Sequence, residues 1–153
     1  MKNEYDNEHF FEQYAQMARS RYGLSGAGEW HQLKEMFPPL KGSRVLDLGC
    51  GYGWHCKYAV DQGAEEVLGM DVSVRMIEEA KKRNADSRIT YRTGSLEEYE
   101  YPEETWDCVV SNLALHYVED IESVYRLVYR TLKKGGTFLF NIEHPVFTSG
   151  VRE

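Results

Sequence analysis

Short apolar runs separated by longer amphipathic stretches set the pattern of this 153-residue chain. Strand-like runs fall at about 44–48, 67–71, 89–93, 106–111 and 136–142, and helical periodicity occupies about 54–62, 73–85 and 119–133. Strands that alternate with helices predict a parallel sheet with right-handed crossovers. Upstream, residues 8–20 read as a helix with apolar or aromatic groups at Phe10, Phe11, Tyr14, Met17 and Ala18. Gly23 and the stretch Gly26 to Gly28 break it, and Glu29 to Phe37 read as a second short helix. Pro38-Pro39 and Gly42 then lead into the core. Residues 97–104 are acidic and contain a proline, which predicts a loop or a single turn there. No internal repeat or low-complexity segment interrupts the pattern.

Composition narrows the class. A chain of this length fits one globular unit with a sizeable core. Hydrophobic residues make up 42 %, and no run is long enough to span a bilayer. The first residues are polar, acidic and aromatic, so no secretory signal is visible. Cys50, Cys56 and Cys108 are odd in number and match neither a disulfide framework nor a zinc site, so no metal is expected and a reducing cytoplasm is the predicted home. The formal net charge of −7, with Lys and Arg scattered, argues against a nucleic-acid substrate. The small cluster Lys81-Lys-Arg83 falls late in a predicted helix, where cations complement the helix dipole.

The chemistry concentrates in Arg44-Val-Leu-Asp-Leu-Gly-Cys-Gly-Tyr-Gly53. A buried strand that ends in glycines and opens a helix brings backbone N–H groups close to a ligand. The dinucleotide fingerprint G-x-G-x-x-G is the rival reading, but its third position falls on Trp54 when counted from Gly49 and on Cys56 when counted from Gly51. The turn is instead D-x-G-x-G-x-G from Asp47, which makes a nicotinamide oxidoreductase the less favoured alternative. Asp71 follows Gly51 by about 20 residues, the spacing that returns a second strand tip to the same crevice. A carboxylate there can accept two ribose hydroxyls, or it can serve as a helix N-cap, for which Ser73 is the better candidate. Asp47 and Asp71 together suit a ligand with polar and cationic parts, which points to a nucleoside-type cofactor.

Val45-Leu-Asp-Leu-Gly-Cys-Gly-Tyr-Gly53 resembles motif I of the class I S-adenosylmethionine-dependent methyltransferases, and the resemblance covers about residues 40 to 145. Val67-Leu-Gly-Met-Asp-Val-Ser73 is similar to the second strand with its ribose-binding acid, and Thr93-Gly-Ser-Leu96 to the adenine-contacting segment. Asp107-Cys-Val-Val-Ser-Asn-Leu-Ala-Leu-His116 resembles the fourth strand and its loop, and Leu132-Lys-Lys-Gly-Gly-Thr-Phe-Leu-Phe140 the helix end, Gly-Gly turn and fifth strand. The resemblance implies a Rossmann-like, doubly wound, mostly parallel sheet with helices on both faces. It implies S-adenosylmethionine as cofactor, held by Asp47, Gly49, Cys50, Gly51, Gly53, Asp71, Val72, Ser73, Met76, Gly94, Ser95, Leu96, Asn112 and Leu113. Residues 1–40 would form a helical lid over a core at 41–153, with Tyr14 and Arg19 reaching the methionine carboxylate. The same helix also fits plain packing on the sheet's flank.

Two departures from the family pattern carry expectations. Relatives continue past the fifth strand with a helix and an antiparallel hairpin, so this chain is expected to be truncated after that strand. A fifth strand left at the edge would be a pairing template, which predicts a homodimer through residues 136–142 or marginal stability. Ser95 stands where many relatives carry an acid. The implied activity is methyl transfer to a small-molecule acceptor by in-line displacement, with no nucleic-acid or membrane partner. His116 is the candidate general base or an ordinary loop histidine, with Glu143, His144 and Tyr14 as further candidates. Tyr22, Trp30, Tyr52 and Trp54 are candidates for the acceptor side, where aromatic faces favour a cation. A non-catalytic cofactor-binding module is the second alternative.

Overall fold

The computed structural model describes residues 34–112, 120–141 and 146–151. Six strands form one sheet: β1 (Arg44–Leu48), β2 (Glu66–Asp71), β3 (Ile89–Thr93), β4 (Trp106–Asn112), β5 (Leu132–Asn141) and β6 (Val146–Val151). Their order is β3-β2-β1-β4-β5-β6, with the first five parallel and β6 antiparallel to β5. Three helices connect them: α1 (Trp54–Asp61), α2 (Val74–Arg83) and α3 (Ile121–Thr131).

Strand alternation sends side chains to two cores. Val45, Val67, Cys108, Val110 and Leu139 face Ala59 and Val60 of α1 and Ile77 of α2. Leu46, Leu48, Leu68, Val109 and Phe138 face Val124 and Val128 of α3. The fold is therefore the doubly wound, mostly parallel α/β sheet with helices on both faces. Its central strands are apolar on both sides, as a covered parallel sheet requires.

Each helix is bounded by local chemistry. Gly63, at φ 97°, ends α1, where its N–H donates to Val60 O at 3.0 Å and that of Ala64 to Ala59 O at 3.0 Å, a Schellman closure. Ser73 caps α2 by accepting the Met76 amide, and Lys81, Lys82 and Arg83 fill its last turn. Asp120 caps α3 through the Ser123 amide at 3.1 Å. Residues 97–104 contain only turns, as expected. Leu96 and Tyr101 from this connection are buried against the α3 side of the sheet.

The fifth strand departs from expectation at both ends. It begins at Leu132, four residues before the predicted start, because Leu132 pairs with Trp106 before the register shifts and Thr137 pairs with Cys108. Gly135, at φ 80°, supplies the backbone conformation for that irregularity. Its outer edge is also taken: Phe138 to Asn141 pair with Ser149 to Val146 of β6. The expectation of a free pairing edge at 136–142 is corrected accordingly. The apolar run after Pro145 was too short to signal a strand by itself. The aromatic helix expected at 8–20 lies outside the described residues. Of the helix expected at 29–37, the described part is helical at 34–36.

Candidate functional site

The parallel registers bring the ends of β1 and β2 side by side, with Leu48 opposite Met70. The turn from Gly49 to Gly53 starts at that edge and ends at the first turn of α1. Gly49, Gly51 and Gly53 all adopt positive φ, at 77°, 54° and 86°. Three alternating left-handed residues curl the chain tightly, and any side chain there would be strained. A Cβ on Gly53 would also run into the hydroxyl of Tyr91.

The turn is tied to β2 residue by residue. Gly49 N and Cys50 N both donate to Met70 O, at 2.7 and 2.8 Å. Gly51 N donates to one carboxylate oxygen of Asp71 at 2.9 Å, and Ser73 N donates to the other at 2.9 Å. Asp71 is thus buried at the strand tip with its carboxylate aligned by two amides. Gly53 N donates to Cys50 O at 2.9 Å, and the Asn84 side-chain amide donates to Tyr52 O at 2.8 Å.

Asp47 and Asp71 look equivalent in the sequence, but the structure separates them. Asp47 lies under α1, where one oxygen accepts the Cys56 thiol at 3.4 Å and the other is buried without a partner. Burial pushes its carboxyl up to about 7, the Cys56 hydrogen bond opposes this, and the Asp71 charge adds to it. Burial likewise pushes the Cys50 thiol up to about 11 and the Cys108 thiol to about 12. The three cysteines are free and buried, so they pack as small apolar groups.

Other predicted site residues divide. Val72 follows Asp71 directly and is half-buried, whereas Met76 is buried in the first turn of α2. Gly94 N donates to Asp71 O at 2.9 Å, which sets the Gly94–Leu96 segment beside the same strand tip. Ser95 Oγ accepts the Glu97 amide at 3.1 Å, and Leu96 O accepts the Tyr101 hydroxyl at 2.7 Å. Both groups therefore already hold this turn. A cavity of about 560 Å³ opens beside it, lined by Met70, Arg92, Gly94, Ser95 and Tyr99 among others. Asn112 ends β4, the strand next to β1. Tyr14, Arg19, Tyr22, Trp30, Leu113, His116, Glu143 and His144 lie outside the described residues. Asn84, Cys56 and Tyr91 reach the turn without having been predicted. Cys56 was visible as the third residue of α1, but Asn84 and Tyr91 are brought in only by packing. Among the described residues, no group of three or more His, Cys, Asp or Glu is placed to hold a metal, and no helix is long and apolar enough to cross a membrane.

A family model described as a methyltransferase domain matches residues 46–140, which contain the whole glycine turn and its carboxylate. The chain belongs to that family. The methyltransferase fold recurs in an S-adenosylmethionine-dependent methyltransferase from Mesorhizobium loti, 45 % identical with a TM-score of 0.77 over 80 % of this chain and 57 % of that one. An uncharacterised protein of Haemophilus influenzae is 33 % identical over 94 % of this chain and 59 % of its own length. Phosphoethanolamine N-methyltransferase 2 of Haemonchus contortus, solved with S-adenosyl-L-methionine, is 27 % identical with a TM-score of 0.74, over 89 % of this chain and 34 % of that one. The chain thus spans under 60 % of the length of each. These methyltransferase matches leave the nicotinamide reading without support.

Proposed function

We propose that this protein transfers a methyl group from S-adenosylmethionine to a small-molecule acceptor by in-line displacement. The observation that carries the reading is the Gly51–Asp71 junction: a left-handed glycine turn whose amide aligns a buried carboxylate at the neighbouring strand tip. Family membership and the cofactor seen in the Haemonchus enzyme support the same conclusion. That enzyme's name also denotes a small acceptor, which supports the acceptor class.

The residues present fit the cofactor. The Gly51 and Ser73 amides align the Asp71 carboxylate at the strand tip. We assign the ribose hydroxyls to that carboxylate. The adenine goes to Val72, Gly94, Ser95 and Leu96, and the amino-acid tail to the turn at Gly49, Cys50, Gly51 and Gly53. Asp47, with its unpartnered buried oxygen, supplies an acid behind that turn. When bound, the cofactor supplies a methyl already activated as a sulfonium. The protein's own work is then alignment, which can contribute about 7–11 kcal/mol of the barrier. We assign residues 1–40 to a lid with Tyr14 and Arg19 on the carboxylate, Asn112 and Leu113 to the cofactor, and His116 to the acceptor side as general base for a protonated acceptor. Three buried free thiols support a reducing compartment such as the cytoplasm.

Calorimetric titration with S-adenosylmethionine, S-adenosylhomocysteine and NAD tests this reading. Binding of the two adenosyl ligands and not of NAD is expected. Asp71→Ala should weaken both adenosyl ligands at least tenfold, and an unchanged affinity would remove the ribose assignment.

A further inference from the structure

The glycine turn is held from a direction that its own motif does not reveal. Asn84, the residue that ends α2, is 2 % exposed and donates its side-chain amide to Tyr52 O at 2.8 Å. Its own backbone oxygen accepts the Tyr91 hydroxyl at 2.7 Å, and its N–H donates to Ala80 O at 2.9 Å. The preceding residue, Arg83, stacks its guanidinium 4.5 Å from the centre of the Tyr52 ring. Tyr52 and Gly53 share one peptide group, and its two ends are both engaged: the oxygen by Asn84, the N–H by Cys50 O. Gly53, at φ 86°, has no Cβ to restrain it, so this peptide could rotate if released.

We propose that Asn84 is a positioning residue for the cofactor: it fixes the Tyr52–Gly53 peptide plane and so sets the curvature of the turn that receives the amino-acid tail. This rests on the cofactor reading above. The carboxamide is suited to the task because it donates to a carbonyl in a buried setting without carrying a charge that burial would penalise. Tyr91 completes the brace, since its hydroxyl fixes Asn84 while its ring closes against Gly53.

The test uses two ligands that differ only where the turn acts. S-adenosylhomocysteine carries the amino-acid tail, and 5′-methylthioadenosine keeps the adenosine and thioether but lacks it. In Asn84→Ala, the affinity for S-adenosylhomocysteine should fall at least tenfold while that for 5′-methylthioadenosine changes less than twofold, both measured by calorimetry well below the thermal midpoint. Tyr91→Phe, a milder variant that keeps the ring, should show the same selectivity at about threefold. Equal losses for both ligands, or no loss for either, would overturn the proposal and leave Asn84 a structural residue. A wild-type protein that binds neither ligand would instead overturn the cofactor reading, and this proposal with it.

Discussion

At the scale of single residues, identical side chains take opposite parts according to what surrounds them. Asp71 accepts two backbone amides, which hold its carboxylate in place at the strand tip. Asp47 is buried beneath α1 beside the charge of Asp71, and these outweigh the opposing Cys56 hydrogen bond, so it favours the protonated acid. Because its folded-state value lies near 7 and its unfolded value near 3.8, the folded form holds the proton through the interval between them. The stability this gives is fully present below about pH 4 and is lost as pH rises through about 7. Relative to Asp47→Asn, the wild type should therefore lose roughly 3 kcal/mol of unfolding free energy between pH 5 and pH 8. Urea unfolding of both proteins at the two pH values checks this, and parallel pH profiles would place Asp47 in a wetter site. The motif made the acid visible, but nothing in its neighbours announced the burial. That came from α1, whose Cys56 covers it from another element.

At the scale of elements, α2 links the two halves of the site. Its N-cap residue Ser73 donates its amide to Asp71, and the residue that ends it, Asn84, holds Tyr52. Ser73 is wholly buried and caps the helix through the Met76 amide at 3.2 Å. Ser73→Ala should cost about 1 kcal/mol of stability, read by urea unfolding, and a loss below about 0.3 kcal/mol would show that solvent replaces the cap. The helix was legible because Ser73 and the cationic last turn frame an amphipathic stretch. Its second duty was not legible. Asn84 is an ordinary helix-ending residue in one dimension, and 32 positions separate it from Tyr52. The early start of β5 was hidden for a similar reason: Leu132 and Lys133 read as the helix end and Gly135-Gly136 as a turn, and pairing of Leu132 with Trp106 draws the segment into the sheet.

At the scale of the whole molecule, the six strands of the described residues share one sheet, and β6 takes the edge that β5 would otherwise expose. Phe138, Leu139 and Phe140 are buried, so a β5 without β6 would present unpaired N–H and C=O groups along a strongly apolar strand. A variant ending at residue 141 should self-associate at concentrations where the full chain sediments as a smaller species. Equal sedimentation of the two proteins would show that β6 does not protect this edge. The doubly wound class itself was readable from alternation, since apolar runs of five to seven residues between amphipathic helices favour a covered parallel sheet. Strand order was not, because residues paired across β1 and β4 lie more than sixty positions apart.

What the sequence determined alone is local: where five of the six strands and the helices fall, where three glycines permit left-handed backbone, and that acids stand at Asp47 and Asp71. Such features depend on neighbours within one or two turns, which the linear pattern records directly. Tertiary structure decided which acid is buried beneath α1, which side chain grips Tyr52, and what covers β5. Each depends on groups from separate elements meeting in a low-dielectric interior, where a hydrogen bond or its absence counts for far more than it does in water.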